Sequence, residues 1–188
     1  LEAVEFMSDP KPVRRIPALA IAALLAGAAT APAQEESTNR VAAQTDWSVF
    51  AEPAGDPTEC WGVSAPKETV NTRDGRVVAV RRGDILLFVS FRRDDDVEAE
   101  VSFTGGYPFA NGSTVELTIG SDAFELFTDG EWAWPADPEA DAAVVAAMKR
   151  GAEAVVVGRS SRGTRTQDTF SLMGFTAALS DAESQCGG

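Results

Sequence analysis

Histidine is absent from this 188-residue chain, and that gap limits what chemistry its other side chains can do. Without imidazole there is no usual general base near neutral pH, no Ser-His-Asp or Cys-His relay, and little scope for zinc or haem ligation. The nearest approach to a nucleophile elbow is Gly158-Arg159-Ser160-Ser161-Arg162-Gly163. An elbow needs a glycine two positions to each side of its serine. Ser160 has Gly158 behind it but Arg162 ahead, and Ser161 has Arg159 behind it. A hydrolase would have to pair Ser160 or Ser161 with Lys149 or Lys67 as a replacement base, or bring Glu98/Glu100 or Asp137/Glu139 together in a cleft. Asp94-Asp95-Asp96 offers oxygens of the kind calcium takes, yet it lacks the glycine and distal glutamate of an EF-hand loop and reads as a solvated hairpin tip. The expectation is a non-enzyme with no catalytic residues, no cofactor and no metal.

Recognition chemistry is better represented. Arg159, Arg162 and Arg165 lie in a Ser/Thr/Gly-rich segment, and Arg73, Arg76, Arg81 and Arg82 form a second basic cluster. In an acidic chain such clusters either dock an anionic partner or pair with Asp and Glu on adjacent strands. Trp132 and Trp134 flank Ala133, so a strand aims both at one face. They form either an exposed platform for a sugar or a protein, or core packing under a following helix. Tyr107-Pro108-Phe109, set between Gly106 and Asn111-Gly112, is a second aromatic loop. Tyr107, Phe109, Trp132, Trp134, Arg159, Arg162 and Arg165 are therefore the candidate partner surface. Two cysteines, Cys60 and Cys186, stand far apart with no Cys-x-x-Cys spacing. In an oxidising compartment they read as one structural disulfide, with a free thiol pair or a redox site as the alternatives.

The elements that must position these residues are mostly strands. Trp47-Ser48-Val49-Phe50 opens an apolar register, and Cys60 to Ser64 follows the turn-rich segment 52–57. Val77 to Arg81 reads as a strand before the Gly83-Asp84 turn, and Ile85 to Val89 is a continuous apolar run of the kind covered on both faces. Val97, Ala99, Val101 and Phe103 alternate with Glu98, Glu100, Ser102 and Thr104, which places one set inward and the other in water. Val115, Leu117 and Ile119 repeat this alternation; Phe124 and Leu126 begin another strand, and Asp129-Gly130 turns it towards Trp132. Asp137, Pro138, Glu139 and Asp141 mark a helix start, Val144, Val145, Ala147 and Met148 its apolar stripe, and Lys149, Arg150 and Gly151 its end. Two closing strands (Val155 to Gly158 and Thr169 to Leu172) precede a helix from Gly174 to Glu183 that delivers Cys186. A mainly β fold follows, an antiparallel β-sandwich or flattened barrel with two peripheral helices and one disulfide.

Upstream, Met7 to Ala33 reads as a secretory signal: Lys11, Arg14 and Arg15, then a 14-residue apolar run from Ile16 to Ala29, then Ala31-Pro32-Ala33 with cleavage after Ala33. The run is short of the ~20 residues a membrane helix needs, so no membrane span is expected. Residues 1–6 precede the first Met and are read as lying upstream of the genuine start. Residues 34–46 read as a flexible leader, and 47–188 as a single β domain. The net charge of −13 repels phosphate backbones and argues against nucleic acid. A periplasmic or secreted location follows, with a monomer or weak oligomer expected.

The C-terminal half adds a resemblance. The helix Asp141 to Arg150 with Gly151, the segment Arg159-Ser160-Ser161-Arg162-Gly163, and above all the ending Phe170-Ser171-Leu172-Met173-Gly174-Phe175-Thr176-Ala177-Ala178-Leu179 resemble the invasion-associated locus B family. The Trp47-Ser48-Val49-Phe50 start and the early Cys60 fit the same pattern, so the likeness covers about Trp47 to Cys186. It implies a small exported β-rich protein of alphaproteobacteria, some relatives of which are associated with entry of pathogens into host cells. It supplies no catalytic residues, and its signature positions read as bend (Gly174) and packing (Phe175, Leu179). The expected function is that of a non-enzymatic envelope or surface protein acting by protein or cell-surface contacts. The alternative is a periplasmic small-molecule or glycan binder.

Overall fold

The computed structural model describes residues 39–186; the export signal expected within 7–33 lies outside them. The strands in chain order are β1 (Arg40–Gln44), β2 (Trp47–Glu52), β3 (Glu59–Ser64), β4 (Glu68–Arg73), β5 (Arg76–Val77), β6 (Leu86–Arg92), β7 (Val97–Thr104), β8 (Thr114–Ile119), β9 (Asp122–Asp129) and β10 (Trp132–Trp134). Helix α1 (Pro138–Arg150), β11 (Glu153–Arg159), β12 (Arg165–Ser171) and helix α2 (Phe175–Cys186) complete the chain. All pairings are antiparallel, and they form one open sheet in the order β1-β2-β3-β6-β7-β10-β9-β8-β11-β12-β4-β5.

The expected mainly antiparallel β architecture, with two helices and one disulfide, is present. A single continuous sheet supplies all the strands, and it coils on itself. Phe103 of β7 meets Phe170 of β12 edge-to-face at 6.1 Å although four strands separate them in the ladder. Strand alternation explains the core. Trp47, Val49 and Ala51, then Leu87, Val89 and Phe91, are buried while their neighbours are only half-buried. Helix α2 packs on β2 and β3, with Phe175 edge-to-face against Trp47 at 5.0 Å. Cys186 at its last position bonds Cys60 of β3, Cα to Cα 5.8 Å.

Helix α1 begins as its sequence predicts: the Asp137 carboxylate accepts the Ala140 amide at 2.9 Å, Pro138 follows, and the Gly151 amide closes the other end on Ala147. The bend at Gly174 is likewise present, with φ +92°; a side chain there would overlap the Gln44 carbonyl oxygen.

Four expectations are corrected. Arg40–Gln44, placed in a loose leader, is a strand hydrogen-bonded to β2; its short, alternating residues carry too little apolar signal to be read alone. Val77 to Arg81 is not a strand beyond Val77. The ladder there belongs instead to β4, whose Thr-rich polar sequence hides its period. Val97 does not share a face with Val101, although Ala99 still packs against the core. The β6–β7 register runs Ser90↔Glu100 and then Arg92↔Val97, so a bulge inserts one residue, and Ala99 sits at φ +54° within it. One extra residue reverses the facing of everything beyond it. Finally, Trp132 and Trp134 are not packed beneath α1. Ala133 between them points into the core, so the indoles face outward.

Candidate functional site

Two surfaces gather most of the residues singled out from sequence. The first is aromatic and lies on the outer face of adjacent strands. Cross-strand partners share a face, and the register aligns Phe50 with Trp61, Trp61 with Ser90, and Trp134 with Phe127. Phe50 stacks on Trp61 at 5.6 Å, Phe88 meets Trp132 at 5.6 Å, and Trp132 stacks on Trp134 at 6.4 Å with 21° between planes. Trp132 remains 39% exposed and Phe127 51%. Trp61, Phe88, Trp132 and Trp134 line a shallow cavity of about 280 Å³ together with Glu59 and Glu100. Arg92 spans its rim, donating to both Glu100 oxygens at 3.0 and 3.1 Å. Large apolar rings facing water beside fixed carboxylates are a contact chemistry: rings supply area, and carboxylates supply direction.

The second surface is a cleft of about 440 Å³ in which both basic clusters converge: Arg73, Arg81 and Arg82 from one, Arg162 from the other. Its floor is structural. The Arg82 guanidinium donates to both Asp168 oxygens at 2.7 and 2.6 Å and to the Gly105 carbonyl at 2.8 Å, and it lies over the Tyr107 ring at 5.0 Å. This ion pair is almost wholly buried. Burial pushes the Asp168 carboxyl up, and Arg82 opposes that shift. The Tyr107 hydroxyl bonds the buried Thr166 hydroxyl at 2.5 Å, and burial raises its pKa as well. Tyr107 thus serves as floor rather than as an open platform. Phe109 is corrected outright: at 4% exposure it packs edge-to-face on Tyr107 at 5.1 Å inside the core, out of reach of any partner. Gly158 makes this possible, since a side chain there would come within 3.0 Å of both rings.

Arg159 and Arg165 stand directly opposite each other on β11 and β12 and line a separate shallow depression with Glu116 and Glu125. Of the seven clustered arginines, only Arg82 forms a salt bridge among the described residues. The alternative in which these clusters pair with neighbouring acids holds for Arg82 alone.

The two candidate serines differ: Ser161 is exposed on its loop, whereas Ser160 is engaged. Buried Ser160 Oγ accepts the Thr164 amide at 3.1 Å and closes its own loop, while Lys67 pairs with Asp46. Glu100 pairs with Arg92, and Asp137 caps α1. At the acidic tip, Arg92 and Arg93 each lie 3.7 Å from a carboxylate oxygen, of Asp95 and Asp94 respectively. Sequence reading missed Asp168, Thr164 and Thr166, three polar residues on or beside β12. Their alternation with exposed Arg165 was the available signal, since a strand that buries polar side chains buries them for a partner.

A family profile described as "Invasion associated locus B (IalB) protein" matches residues 47–183. No curated protein and no solved structure shows significant similarity to the chain.

Proposed function

Because the chain belongs to the invasion associated locus B (IalB) family, we propose that it is an exported, non-catalytic envelope or surface protein that works by contacting a protein or a cell surface. The outward-facing aromatic band carries this reading. Trp132 and Trp134 stack on the outer side of the sheet, Trp132 exposed and Trp134 half-buried, and aromatic anchors of this kind dominate contact energies where they are desolvated. The Cys60–Cys186 bond supports export, since such bonds persist in oxidising compartments.

The test compares wild-type protein with a Trp132→Ala/Trp134→Ala variant, both immobilised, against envelope extract. Neither ring is buried in the core, so the variant folds. A specific partner retained by the wild type and lost by at least ~10-fold on the variant supports the reading; retention of that partner by both discards the aromatic band as the contact.

A second reading has its own observation. Two indoles 21° from parallel beside Glu59 and Glu100 offer a stacking face and acceptors suited to a sugar ring. Three of the four tryptophans border this band, so intrinsic fluorescence that stays flat across a panel of soluble glycans rules the sugar out.

A further inference from the structure

The arginine-lined cleft has an electrostatic arrangement that folding alone does not account for. Acidic residues outnumber basic ones 29 to 16 in this chain, so partners for surface arginines are plentiful. Yet Arg81 and Arg162 make no salt bridge among the described residues, and Arg73 is held by one nitrogen on the Thr164 hydroxyl at 2.7 Å. Glu131 is the one other acid lining the cleft, while Arg82 is neutralised by Asp168 beneath it. Three guanidinium groups against one carboxylate leave a local charge of about +2 on a protein of net charge −13. Arg73 is moreover set directly opposite Arg76 across the β4–β5 hairpin, a like-charge pairing that costs stability.

The three groups arrive from different places: Arg73 at the end of β4, Arg81 on the segment before β6, and Arg162 at the tip of the β11–β12 hairpin. The sheet order makes this possible by placing β4 beside β12. Pro108 and the partly exposed Val80 add an apolar wall. The volume falls in the range of small-ligand sites.

We propose that this cleft is a binding site for a phosphate monoester, gripped by Arg73, Arg81 and Arg162, with the organic part of the ligand against Val80 and Pro108. A phosphate monoester carries roughly −1.5 to −2 charges near pH 7, which matches the surplus in the cleft. Guanidinium forks bind its oxygens in pairs, which an ammonium group does not do. Arg82 acts as a positioning residue: buried and saturated by Asp168, it fixes the Tyr107 floor and does not reach for the ligand.

Two probes distinguish the source of the phosphate group. Glycerol 3-phosphate, titrated calorimetrically, represents a soluble ester. Vesicles containing phosphatidic acid, compared with pure phosphatidylcholine in a sedimentation assay, represent a headgroup. The variant Arg81→Ala/Arg162→Ala removes two exposed groups with no salt bridge among the described residues, so the fold is retained. Arg159→Ala/Arg165→Ala removes the same charge outside the cleft and is the control. Binding of either probe by the wild type, lost by ~10-fold or more in the cleft variant and kept within ~2-fold by the control, is expected. Arg162→Lys is expected to fail to restore full affinity. No binding of either probe overturns the proposal, as does equal loss in the cleft and control variants, which would show diffuse charge attraction only. The aromatic band is untouched by these substitutions, so the outcome is independent of the test of that surface.

Discussion

Asp141 shows how one side chain can serve two elements. Strand β10 pairs only with Phe103 and Thr104 of β7, and the Val101 amide nearby is satisfied by the Asp141 carboxylate at 2.8 Å from the first turn of α1. Burial pushes this carboxyl above its ordinary 3.8, with the Val101 amide pulling it down. A carboxyl raised on folding contributes stability that is fully present below 3.8 and is lost as pH climbs through its folded value. Asp141→Asn keeps an acceptor and removes that loss, so the variant should gain stability relative to the wild type between pH 4 and pH 7 in urea melts. Asp141→Ala, which leaves the amide without its acceptor, should cost about 1–3 kcal/mol at both pH values. An Asn variant that falls behind the wild type as pH rises contradicts this account. Residue types alone announced Asp141 as a helix-start acid, a local role. Its bond to a strand 40 positions away is a matter of packing, which spacing does not encode.

Local rules served some elements well and failed for others. Helix α1 was legible because its cap, proline, apolar stripe and terminal glycine all lie within one short segment. Strands β1 and β4 were not, because they lie at or near the sheet edges, where apolar alternation is weak. The bulge at Ala99 was invisible for a different reason: a strand cannot show its extra residue until its partner sets the register. Gly174 ties the two kinds together, since its positive φ lets α2 turn tightly beneath β1. Gly174→Ala adds backbone strain and a clash with the Gln44 carbonyl, and should destabilise by about 1–3 kcal/mol. Limited proteolysis should then cut faster within Arg40–Gln44; unchanged cleavage and melting would show that β1 tolerates displacement.

For the whole molecule, the Cys60–Cys186 bond closes 126 positions and joins β3 to the last turn of α2. Cys60→Ser/Cys186→Ser should lower stability by about 2–5 kcal/mol and abolish any further effect of reductant; a wild type as stable reduced as oxidised would count against a structural role. The amino-acid sequence by itself determined the class of fold, the capped helix, the cysteine pair and the family, because each depends on contacts or patterns within a short span or on one matched pair. Only the tertiary structure decided which arginines meet in a cleft, that Phe109 is core, and that Trp132 and Trp134 lie on the outer side of the sheet. Those outcomes hang on sheet order and register, where a shift of one residue turns a side chain from inside to outside.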